Sequence, residues 1–492
     1  MMRVTEKHWF ITAFLIYLVA AWFSVGHYHD DEYYQILDFA AYKLGFEMQN
    51  KVMWEYEAAI RSGLQPFITY VVAKGSMFFN ITSPFIWAFS LRLLSLCVSF
   101  ISIFAFFQVI KKEINTEKYL TWVLFFLLFS WILIFLNIRF SSEGWSSSLF
   151  ILAYALYFHK ESLETKKYFF VGLLLGIAFL FRYQLGFFIF GFGLWVLFQR
   201  NEKISALFII SSGFLVALFF GIIADYWLYG KLTLSFWNYF EWHIVNGSID
   251  NIIEPWWFYI YYSMVQLIPP ITFFIPVVII IFWVLFPSHL ITWVTIPFII
   301  FHHYFGHKEM RYLFPIIPFI PVMFAMSIDY LVKRFEFLNE NVFKYLWKFI
   351  LYTSLLINLV LVLLTITLPA SKEVALWQNC FTKYISSDSI LLVYDQDGSG
   401  SDTGELELDF YNTNDIPIIS INSESEILDK IIKFPDKQLF YAARKKGRAS
   451  ALTSNGISNH LICQALPEWI LKININDWTS RASIWQIWEI KK

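Results

Sequence analysis

Charge is the scarcest property of this 492-residue chain: 15% of its residues are Asp, Glu, Lys or Arg, against about 25% in an average soluble protein. The 37 basic and 38 acidic residues nearly cancel, leaving a formal charge of −1. With that balance and no basic stripe, nucleic acid is excluded as a partner. Cysteine is scarce too. Cys97 lies in an apolar run, whereas Cys380 and Cys463 fall in the polar C-terminal part. Two cysteines there allow one pairing, and the sequence leaves open whether it forms. No C-x-x-C or His/Cys cluster has the spacing of a zinc site.

What the chain has instead is apolar surface: 58% of residues are hydrophobic and 21% aromatic. Long apolar runs recur from Trp9 to about Pro369 and then stop. A hydrocarbon core of about 30 Å takes about 20 helical residues, so such runs are spanning-helix candidates. The sequence is that of a polytopic α-helical membrane protein. We read spans at 9–26, 85–110, 119–137, 144–158, 168–181, 184–199, 205–223, 257–286, 289–304, 311–330 and 345–368. That is about eleven, within a range of 9–13. Trp9–Val25 is too long and too aromatic for a signal segment, and no A-x-A site follows, so it counts as the first helix. Pro66–Phe79 is short and holds Lys74 and Gly75, which fits a juxtamembrane or re-entrant helix. Trp257–Phe286 is too long for one span and contains Ile268-Pro269-Pro270, so it is a broken helix or a span plus an interfacial piece.

With the N-terminus in the cytoplasm, alternate loops carry Lys111–Lys118, His159–Lys167, Arg200–Lys203 and Val332–Lys344. These basic loops share one face, as the positive-inside rule requires. The opposite, extracytoplasmic face receives "HYHDDEYYQ" (His27–Gln35), "NIRFSSEGW" (Asn137–Trp145), "FRYQ" (Phe181–Gln184), the loop 224–257 and "HHYFGHKEMR" (His302–Arg311). The membrane domain is therefore 1–368, with a first extracytoplasmic or juxtamembrane loop at 27–82. The remainder, 369–492, is an extracytoplasmic domain. There "SILLVY", "DIPIISI", "QLFYAA" and "RASIWQIWEI" read as strands and "ESEILDKIIKF" as an amphipathic helix, a small α/β domain.

Ionisable residues at a membrane are candidate functional groups by default. "HDDE" (His29–Glu32) is either a solvated helix start, where acids favour the dipole, or a set of carboxylates that raise one another's pKa toward general-base use. His307, Lys308 and Arg311 either snorkel to the interface or bind an anion, and Glu309 would neutralise part of their charge. Arg139 and Arg182 end apolar runs, which is costly unless a partner or water is present. The loop 224–257 mixes Trp and Tyr with Asn and Gly, a composition suited to sugar rings as well as to an aromatic belt. "NGS" (Asn246–Ser248) is a glycosylation triplet only in a glycosylating lumen. "YDQDGSGSDTGE" (Tyr394–Glu405) lacks the register of an EF-hand and reads as an acidic turn.

Three of these stretches resemble the lipid-linked mannosyltransferases of glycosyltransferase family 22. The family pattern H-P-D-E-x-x-Q, W-E-W/Y, R-S-x-x-x-P is met by His29, Asp31, Glu32, Gln35, Trp54, Glu55, Arg61, Ser62 and Pro66, with Asp30 in place of the Pro. "DYWLYGKLTLSFWNYFEWHIVNG" and "EPWWFY" are similar to its second block, through Asp225, Asn238, Asn246 and Trp256. "HKEMRYLFPIIP" is similar to its H-K-E-x-R-F signature, the most specific of the three. "NIRFSSEGW" follows the family's R-T-x-S-N-x-x-E only loosely. The blocks span residues 29 to about 318 and leave the final domain uncovered.

The resemblance implies a GT-C fold and an inverting transfer of a hexose, mannose by analogy, from a polyprenyl-phosphate sugar to a glycolipid or lipid-linked glycan. Asp31 would be the base, with Glu32 as neighbour or substitute. His307, Lys308, Arg311 and Arg182 would hold the donor phosphate. His29, Gln35, Trp54, Glu55, Arg61, Asp225, Asn238, Asn246 and Trp256 would bind substrate. No metal or other cofactor is expected, because those cations neutralise the leaving charge. Two alternatives remain: a GT-C transferase for another sugar of the aminoarabinose type, and a lipid or glycolipid transporter. Against a transporter, no matched pair of interrupted helices appears in the two halves. The missing eukaryotic C-terminal pattern and ER-retention signal favour a bacterial inner membrane over the ER.

Overall fold

A computed structural model describes residues 4–48, 53–159, 164–200, 203–246, 253–395, 400–444, 452–454 and 456–491. Part of "NGS" and the centre of "YDQDGSGSDTGE" lie outside the described residues. All eleven apolar segments are helical, counting 3-10 turns. Among the described residues, Pro84–Ile110, Ile204–Tyr229, Met310–Arg334 and Asn341–Thr367 are each long and apolar enough to cross a membrane on length and composition. The structure divides into two compact units that do not follow chain order. One is Met1–Ala21, Ala58–Phe67 and Leu91–Ile366; the other is Trp22–Glu57, Ile68–Ser90 and Thr367–Lys492.

The first unit is a helical bundle in which broken helices are repaired by side chains. The segment expected as one span at 119–137 is two helices, Glu117–Phe129 and Trp131–Asn137, bent by 49° at Ser130. A break inside hydrocarbon frees backbone groups that lipid cannot satisfy. Asn358 satisfies both: its Nδ2 donates to the Phe129 carbonyl at 2.8 Å and its Oδ1 accepts from the Trp131 N–H at 2.9 Å. Ile268-Pro269-Pro270 interrupts a second segment between the helices Phe258–Val265 and Ile275–Leu285, since proline offers no N–H to carry the ladder on. There the Ile271 N–H donates to Ser354 Oγ at 3.0 Å, and the Trp131 indole donates to the Leu267 carbonyl at 3.1 Å. Ser354 and Asn358 are four residues apart on Asn341–Thr367 and both buried, so one face of that helix serves both breaks.

A tight seam joins Glu164–Phe181 to Ile204–Tyr229. A Cβ on Gly172 would strike the Ile210 carbonyl, and one on Gly213 the Phe169 carbonyl. Gly172 and Gly176 on one helix meet Ile210, Phe214 and Ala217 on the other, and Gly213 meets Phe169; the small pairs Gly172/Gly176 and Gly213/Ala217 have the four-residue spacing that lets membrane helices approach backbone to backbone. The seam fixes the ends of both helices, where Arg182 and Asp225 sit.

The second unit is built on a five-stranded mixed sheet in the order β2-β1-β3-β5-β4: β1 Ser389–Tyr394, β2 Ile418–Ile421, β3 Gln438–Ala443, β4 Ser458–Gln464 and β5 Gln486–Lys491. β1 runs parallel to both β2 and β3, while β5 is antiparallel to β3 and β4. Along β1, Ile390 and Leu392 enter one core and Leu391 and Val393 the other, which is why "SILLVY" is apolar at successive positions. β4 was not expected. It is an edge strand of mixed polarity with a register shift between Leu461 and Cys463. Cys380 and Cys463 form a disulfide, which settles the pairing. Tyr33 and Tyr34 fasten the segment after His27 onto this domain. The Phe410 N–H donates to the Tyr33 hydroxyl at 2.9 Å, and the Tyr34 hydroxyl donates to the Gly404 carbonyl at 3.0 Å. The Tyr411 ring stacks on Tyr33 and on Phe85.

Replacing Asn358 with Leu leaves two backbone groups unmet in an apolar setting, so thermal unfolding in detergent should register a loss of roughly 3 kcal/mol. Leu359→Ala, on the exposed side of the same helix, should lose less than about 1 kcal/mol. Equal stability of Asn358→Leu and wild type would show that the break needs no side-chain partner.

Candidate active site

In the first unit, helix ends bring together a row of alternating charges. Glu143 opens the helix Ser142–Phe158, whose N-cap Ser141 accepts from the Gly144 N–H. An acid in this first turn also meets the positive end of the helix dipole. Glu143 Oε1 accepts from Arg182 Nη1 at 2.6 Å and lies 3.9 Å from Arg311 Nη1. Arg311 then forks onto Glu309, with Nη2 to Oε1 at 3.2 Å. The same Oε1 takes the Tyr312 hydroxyl at 2.8 Å and lies 2.9 Å from His307 Nε2. The Tyr312 ring packs beneath both guanidinium groups, 4.9 Å from Arg182 and 5.5 Å from Arg311. Glu143, Arg182 and Arg311 are all buried. Buried ions persist only where partners replace water, and two glutamates alternating with two arginines meet that demand.

The pairing is incomplete at one end. Arg182 Nε and Nη2 are buried and, among the described residues, have no hydrogen-bond partner. Two N–H groups of a fixed guanidinium form a fork suited to a phosphate or carboxylate. Lys308, by contrast, gives its ammonium to the carbonyls of Glu254, Gly306 and Phe305, at 3.2 and 3.4 Å for the first two. Its three donors are directed to backbone, and burial holds its pKa below the ordinary lysine value.

Asp225 and Asn238 of the second block are bonded to neighbouring backbone. Asp225 Oδ1 accepts from the Gly63 N–H at 2.7 Å, and its Oδ2 accepts from the Ser235 N–H at 3.2 Å and from the Ser235 hydroxyl. Asn238 donates to the Ala59 carbonyl at 3.1 Å. Arg61 lies 5.5 Å from the centre of the Tyr239 ring, and its carbonyl accepts from the Tyr229 hydroxyl. Asn246 and Trp256 are exposed. Arg139 is buried against the Phe135 ring at 3.8 Å.

In the second unit the acid cluster begins a short helix, Asp30–Glu32, capped by His29, whose Nδ1 accepts from the Asp31 N–H at 3.2 Å. The side chain of Asp31 is one-quarter exposed, at 25%. Glu32 Oε2 accepts from the Tyr28 N–H at 3.3 Å. Asp30 is not carried upward by its acidic neighbour. A hydrogen bond from His27 holds Asp30 below the usual carboxylate range, outweighing burial and the neighbouring Asp31 charge. Asp38 goes the other way: burial, then the Asp409 charge, push its carboxyl well above that range. Gln35 is in the π-helical stretch Tyr33–Asp38, with Nε2 buried and unpartnered among the described residues. Trp54 is half exposed and Glu55 buried.

The sequence placed Arg182, Arg311, Lys308 and His307 at the site but gave Glu143 no role and treated Glu309 as a mere neutraliser. The signal was present: an arginine closing an apolar run needs an acid, and Glu143 is at another helix end on the same predicted face.

Breaking a buried ion pair from one side should cost about 3–5 kcal/mol. Glu143→Gln is therefore expected to unfold at markedly lower temperature, and adding Arg182→Gln should recover much of the loss. A double variant as unstable as the sum of the singles would mean the two charges are not coupled.

The sequence model of the Alg9-like mannosyltransferase family matches residues 8–377. GPI mannosyltransferase 3 of Debaryomyces hansenii is 24% identical over 392 residues, covering 72% of this chain. The chain spans 63% of the length of that curated relative. Among solved structures, ArnT from Cupriavidus metallidurans bound to undecaprenyl phosphate aligns over 98% of this chain and 97% of its own, with a TM-score of 0.57 at 11% identity. Its apo form aligns over the same shares with a TM-score of 0.55. The fold is that of these membrane GT-C enzymes, and by its sequence the chain belongs to the Alg9-like mannosyltransferase family.

Proposed function

We propose that this protein transfers a hexose, mannose in the first instance, from a polyprenyl-phosphate sugar to a glycolipid or lipid-linked glycan. The observation that carries the reading is the Arg182 guanidinium: buried, anchored through Nη1 to Glu143, and with Nε and Nη2 unpartnered among the described residues. In a mannosyltransferase family, two such donors suit the phosphate of a lipid donor. The undecaprenyl phosphate bound by ArnT is consistent with that class of ligand.

The chemistry is an inverting displacement. A carboxylate, Asp31, takes the proton of the acceptor hydroxyl, and the hydroxyl oxygen forms a bond to the sugar C1. The bond from C1 to the phosphate oxygen breaks on the opposite side, and the electron pair leaves on the lipid phosphate. Arg182 receives that charge through donors already in place, the preorganisation that makes electrostatic stabilisation effective. Arg311 and His307 hold Glu309 and so maintain the field around Arg182, while Lys308 ties the signature loop to the residues before it. The Cys380–Cys463 disulfide supports an extracytoplasmic location for the C-terminal domain, because disulfides persist in oxidising compartments.

Reconstituted in liposomes with polyprenyl-phosphate mannose carrying a radiolabel and a membrane glycolipid extract, wild type should transfer label to lipid. Asp31→Asn should lower the rate by about 100- to 10,000-fold while retaining donor binding. Unchanged transfer by Asp31→Asn would move the base to Glu32 or Asp30. No consumption of any polyprenyl-phosphate sugar by wild type would remove the donor class.

A further inference from the structure

The helix Leu290–Tyr304 ends in His302, a residue with no part in the scheme above. It is 3% exposed. Its Nδ1 lies 2.7 Å from the Phe298 carbonyl, and since a carbonyl only accepts, Nδ1 carries the hydrogen. A neutral imidazole then presents Nε2 as a bare acceptor. Among the described residues that Nε2 has no partner, although it is buried. The ring is held by Phe298 at 4.1 Å and by Phe301 at 5.5 Å, with Tyr312 at 6.2 Å and Tyr259 at 6.5 Å. It therefore has one settled orientation.

Tyr312 links this ring to Arg182, whose guanidinium lies 4.9 Å from the Tyr312 centroid. The two residues thus flank one tyrosine, one offering an unpartnered acceptor and the other two unpartnered donors. A buried donor or acceptor left unmet is costly, so a ligand that meets both groups is favoured here. An ionised phosphate meets the donors but not the acceptor, because its oxygens carry lone pairs and no hydrogen. An alcohol meets both: it donates to Nε2 and accepts from a guanidinium N–H.

We propose that His302 is a specificity-determining residue that accepts a hydrogen bond from a hydroxyl of the donor hexose. This rests on the reading of the donor as a polyprenyl-phosphate sugar whose phosphate lies on Arg182. The hydroxyl in question is the one at C2, because C2 is bonded to the anomeric carbon that carries the phosphate. A site that accepts this hydrogen bond discriminates against a sugar lacking the hydroxyl, since its own buried acceptor is then left unmet.

The test compares polyprenyl-phosphate mannose with its 2-deoxy analogue as donors, for wild type, His302→Phe and His302→Gln. Wild type should prefer the full donor in kcat/KM by about 10- to 100-fold. His302→Phe should lose a similar factor on the full donor and show little preference between the two. His302→Gln, whose side-chain oxygen can replace Nε2 as acceptor, should restore part of the preference. Binding of undecaprenyl phosphate, which carries no sugar, should be unchanged in His302→Phe, and this separates lost recognition from misfolding. Equal use of both donors by wild type would overturn the inference and leave the donor reading intact. So would a His302→Phe variant that still discriminates, or one altered only in its KM for the acceptor. If wild type uses neither donor, the donor reading falls and this inference with it.

Discussion

The structure of the first unit depends on one constraint: a guanidinium at the end of an apolar helix must not lose water without gaining a carboxylate. Arg182 gains Glu143, Glu143 is shared with Arg311, and Arg311 is balanced in turn by Glu309. Each acid comes from a different segment from the arginine it first meets or lies within the signature loop itself. The row therefore forms only when the helix starting at Ser142, the helix ending at Phe181 and the loop before Tyr312 hold their places together.

The rest of the bundle can be understood as supplying that placement. The glycine seam between Glu164–Phe181 and Ile204–Tyr229 brings backbone against backbone, so the helix that delivers Arg182 has little freedom to slide. Asp225 closes the far end of the second helix onto Gly63 and Ser235, which holds the loop carrying Arg61 and Asn238. Lys308 holds the carbonyls that end the preceding helix. Asn358 and Ser354 repair the two interrupted segments from a single helix face. Polar groups inside this bundle mostly serve the backbone. Among the described residues the donors Nε and Nη2 of Arg182 and the acceptor Nε2 of His302 are buried without such a partner, and on the proposed reading they serve the ligand.

Much of this was legible in the residues. Each of the eleven apolar runs read as a span falls on helix among the described residues, and four of the helices are long and apolar enough to cross a membrane. "HKEMR" pointed to two members of the buried charge row, Glu309 and Arg311, and β1, β3 and the helix Glu426–Lys433 followed from their periodicity. Three things were not legible, each for a physical reason. The bend at Ser130 has no proline or glycine to announce it; it depends on Asn358, which is more than two hundred residues away. β4 has the mixed polarity of an edge strand, so neither alternation nor a solid apolar run marks it. The assignment of Asp225 and Asn238 to substrate could not be separated from a structural role, because an acid or amide that binds backbone and one that binds a ligand look alike in a motif.

The central claim is that the open side of Arg182 receives a lipid phosphate. Its most direct test is the affinity of purified protein for undecaprenyl phosphate, measured for wild type and for the Glu143→Gln, Arg182→Gln double variant, in which no buried charge of the pair is left alone. The account predicts saturable binding to wild type that weakens by about 10- to 100-fold in the variant and declines with added salt. Equal affinity in both proteins would contradict it, and would mean that the guanidinium is there for the bundle alone.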